Sequence, residues 1–184
     1  MASTIQLTRP RPPRPVVTDR LLLYPVSIDD LDVLFGIFSE PAGWWYDPAG
    51  RHMDVSTTRG GIDRAADRWA RDGLSYWTVG LADGGRVIGL GGAQRRATGT
   101  WNLNYRLAAE HWGHGYATEL AQAALTAAGQ HDARVPVVAW IAEHNWPSRR
   151  VVERIGLINY GLRIDEHDGQ ARLAYADRAL DGGP

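Results

Sequence analysis

The segment HWGHGYATEL, residues 111–120, constrains the fold more than any other part of the chain. The apolar run TWNLNYRLA before it predicts a strand, and an apolar stripe over residues 117–128 predicts a helix that Gly129 ends. Gly113 and Gly115 lie in the connection, where glycine permits a sharp turn and close approach of a ligand to the backbone. A strand, a glycine loop and a helix N-terminus leave backbone amides free to bind a phosphate. A tight turn that binds nothing is the alternative.

The residues after the glycines narrow the choice of phosphate ligand. A nucleoside triphosphate loop needs Lys followed by Ser or Thr, and Tyr116 and Ala117 stand in those places. A dinucleotide loop needs a small residue where Thr118 stands, although Glu143 could act as its acidic ribose partner. Because the segment follows a hairpin late in the chain, the dinucleotide interpretation stays open only as a weaker alternative.

Charge and composition favour a single globular domain. The 184 residues carry 20 Lys and Arg against 21 Asp and Glu, so no basic excess predicts nucleic acid or a membrane as a partner. The chain has no cysteine, which excludes disulfides, thiolate metal ligands and thiol nucleophiles. We expect residues 1–17 to form a flexible tail rich in Pro and Arg, residues 18–180 to form the domain, and the protein to be cytoplasmic.

The remaining segments predict alternating strands and helices. RLLLYPV reads as a strand, Ser27 as the cap of a first helix and Gly73 as the end of a second. Hairpins are predicted around an Asp-Gly-Gly turn at residues 83–85 and around Asp168 and Gly169. VPVVAWIA is apolar on both faces, as expected of an interior strand, and Asn145 caps a last helix.

Four segments together resemble a known family. TDRLLLYPVSIDDLDVLF, VIGLGGA, LNYRLAAEHWGHGYATELAQAAL and NWPSRRVVERIGL occur in the order found in the GNAT superfamily of acyl-CoA-dependent N-acetyltransferases. They are most similar to the branch of ribosomal-protein N-terminal acetyltransferases of RimJ/RimL type. The resemblance covers roughly residues 18–176 and implies an α+β fold, with a central, mostly antiparallel mixed sheet flanked by helices and with splayed central strands. It also implies transfer of an acetyl group from acetyl-CoA to a primary amine by direct attack in a ternary complex.

The resemblance assigns cofactor contacts to neighbouring segments. The family signature Gln/Arg-x-x-Gly-x-Gly/Ala falls on residues 112–117, with Trp112 in the first place. Amides of this loop would bind the CoA pyrophosphate, and the strand before it would bind the pantetheine arm and the thioester carbonyl. The residues expected to contact acetyl-CoA are Tyr105, Arg106, Leu107, Trp112, Gly113, His114, Gly115, Tyr116, Ala117, Thr118, Asn145 and Ser148.

The catalytic expectations rest on few residues. By resemblance Ser148 protonates the leaving thiolate, although a serine in the first turn of a helix often only satisfies the backbone. Many family members have a tyrosine where Val152 stands, which places more weight on Ser148 or on water. Glu143 and His144 are candidates for the general base, since the strand WNLNYRL carries no carboxylate.

Four aromatic residues predict an acceptor site, which the family builds partly from the loop after the first helix. Trp44, Trp45 and Tyr46 lie in that loop, and together with Trp77 they are expected to form an apolar wall that selects the substrate. Core packing is the alternative for Trp77, and contact with a partner subunit of a homodimer is the alternative for Trp44 and Trp45.

Two further expectations concern metals and the loss of activity. His111 and His114 have a spacing seen in metal sites, but no third ligand is nearby in the sequence, so we expect no metal. The alternative to an enzyme is a catalytically inactive acyl-CoA-binding module that acts as a sensor or interaction domain.

Overall fold

Eight strands form one sheet in the computed structural model, which describes residues 15–180. The strands are β1 (Val16–Val17), β2 (Leu21–Pro25), β3 (Tyr76–Leu81), β4 (Val87–Arg95), β5 (Trp101–Leu107), β6 (Val137–Ile141), β7 (Ile158–Asp165) and β8 (Gln170–Ala176). Their spatial order is β1-β2-β3-β4-β5-β6-β8-β7, and the neighbouring strands are antiparallel except for β5 and β6. The helices are α1 (Leu31–Ser39), α2 (Val55–Asp72), α3 (Tyr116–His131) and α4 (Trp146–Arg154). The predicted α+β fold with a mostly antiparallel mixed sheet is confirmed.

Local signals explain where most elements begin and end. The Ser27 hydroxyl accepts from the amide of Asp29, and the Asp30 carboxylate accepts from the amide of Ser27, which completes a capping box before α1. Gly73 ends α2 in the left-handed region with φ 70°. Asn145 caps α4 by accepting a hydrogen bond from the amide of Ser148. Both predicted hairpins are present.

Two predicted boundaries differ from the structure. Val16 and Val17 pair with Leu23 and Leu22 as an edge strand, so these two residues do not belong to the predicted tail. Residues 1–14 of that tail lie outside the described part of the chain. Gly129 does not end α3, which continues to His131 because tertiary packing of the helix outweighs the low helix propensity of one glycine.

Close packing fixes α3 against the sheet. A Cβ atom at Gly91 of β4 would lie 2.7 Å from Leu120 Cδ2 and 2.8 Å from the carbonyl oxygen of Asn104. Leu120, Ala121 and Ala124 are fully buried on the inner face of α3. Glycine at position 91 therefore allows the helix and β5 to approach β4, and this packing sets the place of the α3 N-terminus.

The parallel strands β5 and β6 separate soon after they meet. They pair only at Trp101 with Val137 and at Asn102 with Val138. Beyond this point β6 continues to pair with β8, as in the contact of Ile141 with Leu173. The divergence opens a cleft between the C-terminal halves of β5 and β6 and confirms the predicted splayed central strands. Within residues 15–180, no helix has the length and apolar character required to cross a bilayer.

Candidate functional site

The anion loop, defined as residues 113–118, presents unpaired backbone amides at the start of α3. Gly113 and Gly115 adopt φ values of 78° and 81°, where a side chain would strain the backbone. Gly115 occupies the cap position of the helix, and no side chain caps it. Among residues 15–180, none of the amides of the anion loop donates a hydrogen bond to another group. These amides and the helix dipole together form a site for an anion.

Side chains in and next to the anion loop support its backbone and do not occupy the anion site. The Trp112 indole N–H donates to the carbonyl oxygen of Leu107 at 2.8 Å and connects the loop to the end of β5. The His114 Nδ1 donates to the carbonyl oxygen of Trp112 at 2.9 Å, and its ring stacks on Tyr116 at a centroid distance of 5.7 Å. The predicted cofactor residues Trp112, His114 and Tyr116 therefore support the backbone that carries the amides.

Arg20 contacts the same loop, and sequence analysis missed it. Its Nη1 donates to the carbonyl oxygen of His114 at 2.8 Å, and its guanidinium lies 4.9 Å from the centroid of the Tyr116 ring. Its Nε and Nη2 contact Glu119 Oε2 at 2.8 and 2.7 Å. No sequence spacing links residues 99 positions apart, so only the tertiary structure brings them together.

Strand β5 offers a second set of unpaired amides. The amide of Trp101 donates toward β6, whereas the amide of Ala108 donates toward β4. Because backbone groups alternate along a strand, the amides of Tyr105 and Leu107 face the diverging β6 edge. The amide of Arg106 faces β4, where Arg106 pairs with Leu90. The structure thus places Tyr105 and Leu107 at the edge expected to contact a pantetheine arm, and it places Arg106 elsewhere.

The cleft between β5 and β6 has a volume of about 540 Å³, and of the candidate catalytic residues Ser148 alone lines it. Residues of the 46–50 loop, β5, β6, the start of α4 and the β7–β8 hairpin surround the cleft. The lining residues are Tyr46, Asp47, Ala49, Gly50, Leu103, Asn104, Tyr105, Ala139, Trp140, Ile141, Ala142, Asn145, Ser148, Asp168, Gln170, Ala171 and Arg172.

Ser148 lies in this cleft with its hydroxyl available. Its amide donates to Asn145 Oδ1 at 3.3 Å, and its carbonyl oxygen accepts from the Tyr105 hydroxyl at 3.0 Å. The Ser148 side chain lines the cleft and lies within interaction range of the Tyr105 hydroxyl. Burial raises the pKa of the Tyr105 phenol, so Tyr105 remains a neutral donor at physiological pH. Ser148 is therefore held by its backbone while its hydroxyl can reach a ligand.

The expected general bases are less favourably placed. Glu143 is exposed and does not line the cleft, and its backbone carbonyl oxygen accepts from Arg149 Nη1 at 3.0 Å. His144 Nε2 donates to the carbonyl oxygen of Tyr46 at 2.8 Å, so this nitrogen carries a proton. Val152 is fully buried in the core.

The aromatic loop, defined as residues 43–47, closes one side of the cleft around Arg106. The guanidinium lies 3.5 Å from the centroid of Trp44 and donates to the Tyr46 hydroxyl at 2.5 Å and to the carbonyl oxygen of Gly43. Burial lowers the pKa of Arg106, and Tyr46 and Asp47 partly oppose that effect. Arginine stays charged in proteins, so Arg106 serves as a cationic support for the loop.

The other predicted aromatic residues separate into two groups. Trp45 is 49% exposed and contacts Tyr46 and His144 edge to face. Trp77 is 2% exposed, lies on β3 in the main core and packs against Trp69 at 6.2 Å. The prediction that Trp77 belongs to the acceptor wall is therefore wrong, because an inward position on a central strand buries an aromatic residue regardless of its chemistry.

Two carboxylates, those of Asp47 and Asp168, line the cleft. Asp168 forms an ion pair with Arg172 at 2.7 Å. The Asp47 carboxylate forms no ion pair within 4 Å among residues 15–180, although its charge acts on the nearby Arg106 guanidinium. The segment WWYDPAG gives no signal for Asp47, because its aromatic residues are its distinctive feature. The same residues contain no cluster of three or more potential metal ligands, and His111 and His114 are not joined by a third.

The fold and site define a class of protein in which a mixed sheet divides beside a glycine loop whose backbone amides are unpaired. Residues 20–158 match the acetyltransferase (GNAT) domain. This chain belongs to the GNAT acetyltransferase family, whose members transfer an acetyl group from acetyl-CoA.

Individual relatives agree with this assignment. The curated N-acetyltransferase p20 of Bacillus licheniformis, itself uncharacterized, is 25% identical over 158 residues, which cover 85% of this chain and 89% of p20. A GnaT-family acetyltransferase structure from Bordetella pertussis has a TM-score of 0.76 at 25% identity and covers 90% of this chain and 100% of its own. The ribosomal L7/L12 alpha-N-protein acetyltransferase RimL, solved with coenzyme A, has a TM-score of 0.71 at 16% identity, covers 90% and 97% of the two chains, and shares the fold alone.

Proposed function

We propose that this protein is a cytoplasmic N-acetyltransferase that moves the acetyl group of acetyl-CoA to a primary amine by direct attack in a ternary complex. The observation that carries the proposal is the run of unpaired amides in the anion loop, directly after a strand whose free edge leads into the cleft. The CoA pyrophosphate fits the anion loop, and the pantetheine arm fits the edge of β5 at Tyr105 and Leu107. The thioester then reaches the cleft beside Ser148.

The groups in the cleft suit attack by an amine. A lysine amine has a pKa near ~10.4 and an α-amine a pKa of roughly 7.7 to 8.0, so the ammonium must lose a proton before it attacks. The nitrogen lone pair then forms the C–N bond, and an amide of β5 stabilises the charge on the acyl oxygen. The C–S bond breaks, and the Ser148 hydroxyl gives its proton to the sulfur while it regains one from the attacking nitrogen.

We place the acceptor beside the aromatic loop rather than beside Glu143. The Asp47 carboxylate, which lines the cleft, can bind an ammonium ion, and Tyr46 and Trp45 supply apolar surface next to it. Water in the open cleft then carries the proton from the bound ammonium to solvent. Both a protein or peptide N-terminus and a small amine fit this arrangement. The resemblance to the RimJ/RimL branch favours the N-terminus.

The test combines cofactor binding and turnover in one sample. Thermal unfolding is recorded with and without acetyl-CoA, and release of free thiol is then measured against N-terminal peptides and small amines. We expect a rise in melting temperature, because a ligand that binds only the folded state stabilises it, and thiol release with one acceptor class. Stabilisation without release for any acceptor would favour the inactive acyl-CoA-binding module. No stabilisation at saturating acetyl-CoA would contradict the proposal as a whole.

A further inference from the structure

Arg20 contacts the anion loop from outside the segment that defines it. We infer that Arg20 is a positioning residue for the CoA pyrophosphate: it fixes the orientation of the loop amides and neutralises a carboxylate beside them. This inference rests on the proposed function, since it concerns how the same loop binds acetyl-CoA. Arg20 stands at the start of β2, and Glu119 lies in the first turn of α3.

The contact with Arg20 orients the peptide bond between His114 and Gly115. A guanidinium group can only donate hydrogen bonds, and Arg20 Nη1 donates one to the carbonyl oxygen of His114 at 2.8 Å. In a trans peptide the C=O and N–H groups point in opposite directions. A carbonyl held toward Arg20 therefore directs the amide of Gly115 away from it, toward the open side of the loop. The stacking of Arg20 on Tyr116 at 4.9 Å restrains the next residue as well.

Arg20 also offsets the negative charge of Glu119. A carboxylate in the first turn of α3 suits the helix dipole but repels a pyrophosphate bound at the same helix end. Glu119 accepts three hydrogen bonds, from the Thr18 hydroxyl at 2.6 Å, the Arg20 amide at 2.8 Å and Arg20 Nε at 2.8 Å, and forms an ion pair with Arg20 Nη2 at 2.7 Å. The paired guanidinium cancels the negative charge of Glu119, so the repulsion is removed.

The remaining exposure of Arg20 indicates where its charge acts. Its side chain is 50% exposed although it is bonded to both His114 and Glu119. A Cβ atom at Gly115 would lie 3.4 Å from Arg20 Nη2, so the guanidinium is adjacent to the middle of the anion loop. Arg20 therefore presents the positive end of its ion pair with Glu119 to the middle of the loop.

The experiment separates this role from general stabilisation by the choice of acyl donor. Acetyl-CoA contains the pyrophosphate, whereas acetyl-pantetheine lacks it and uses the same edge of β5. For Arg20→Ala, we expect KM for acetyl-CoA to rise about 10- to 100-fold, the loss associated with hydrogen bonds from a charged group, while kcat changes little. With acetyl-pantetheine, kcat/KM should stay within about twofold of that of the unaltered protein. Arg20→Lys keeps the charge but not the paired contacts and should recover part of the affinity.

Arg71 provides a matched control, since it forms an ion pair of the same 2.7 Å length with Asp72 at the end of α2 and is 66% exposed. Arg71→Ala should leave both donors unaffected. An equal loss with acetyl-CoA and acetyl-pantetheine in Arg20→Ala would show a merely structural role and overturn the inference, as would acetyl-CoA affinity within twofold of the starting value. If the unaltered protein binds no acetyl-CoA, the proposed function itself fails, and that outcome is seen before any variant is made.

Discussion

The anion loop and the aromatic loop, which we propose bind the cofactor and the acceptor, are built differently. The anion loop offers backbone amides that have no partner within residues 15–180, and its glycines keep side chains away from them. The aromatic loop offers side chains, which Arg106 holds together. A site made of backbone amides depends on the backbone conformation, and it does not depend on which side chains the protein carries there. With these proposed roles, the backbone fold determines cofactor binding, whereas a few exchangeable side chains determine the choice of acceptor.

The largest expected effect comes from Gly115→Trp. At φ 81° any side chain strains the backbone, and an indole would cover the amides that bind pyrophosphate. We expect acetyl-CoA affinity to fall more than about 100-fold in isothermal titration, because several charge-assisted bonds are lost. Gly99→Trp is the matched control, since Gly99 has the same φ in an exposed turn of the 96–100 loop. Retained acetyl-CoA affinity in Gly115→Trp would show that the amides of the anion loop do not bind the pyrophosphate.

Ser148→Ala tests the residue proposed to act where the thioester and the acceptor amine meet. The amide of Ser148 donates to Asn145 and its carbonyl oxygen accepts from Tyr105, so alanine preserves both of these backbone hydrogen bonds. We expect kcat to fall by about 10²-fold, the lower end for loss of general acid catalysis, with acetyl-CoA affinity unchanged. Ser148→Thr retains a hydroxyl and should keep more activity in the same thiol-release assay. Unchanged turnover in the alanine variant would remove Ser148 from the mechanism.

Arg106→Ala decides to which side this residue belongs. Its amide faces β4 and its side chain supports the aromatic loop, so the acceptor KM should rise while the acetyl-CoA Kd stays the same. Loss of the stacked guanidinium and its hydrogen bonds should lower the free energy of unfolding by about 2 to 4 kcal/mol. Denaturant unfolding and steady-state kinetics measure the two effects. A weaker acetyl-CoA Kd with an unchanged acceptor KM would restore the expectation made from the sequence.

The sequence predicted the backbone site better than the side-chain site. A strand, two glycines and an amphipathic helix are local signals, and they located the anion loop before any tertiary contact was known. Trp44 and Trp77 look alike in the sequence, yet one stacks on Arg106 and the other is buried in the core. Arg20 and Asp47 gave no signal, because their importance depends on what long-range packing places beside them.

Asp47→Asn tests the electrostatic part of the aromatic loop. Asparagine keeps the shape of the side chain but removes the charge that would bind an ammonium ion. We expect the acceptor KM to rise about 10-fold, as for loss of one charged hydrogen bond, with kcat less affected. Asp168→Asn is the control, since Asp168 is already paired with Arg172 in the same cleft. Equal effects of the two substitutions would mean that the cleft attracts amines only through its overall charge.

The smallest effect concerns the support that side chains give to the backbone site. Burial alone would raise the pKa of the Glu119 carboxyl, but hydrogen bonds from Thr18 and Arg20 outweigh it and hold the pKa below its usual range. A carboxyl with a lowered folded pKa stabilises the protein above its unfolded pKa of about 4.3 and loses that contribution as the pH falls through the folded value. Denaturant unfolding of the protein and of Glu119→Gln should therefore differ at pH 6, by less than about 1 kcal/mol because the pair is partly exposed, and converge near pH 3. A difference that persists at low pH would mean that Glu119 supports the anion loop through its shape and hydrogen bonds rather than its charge.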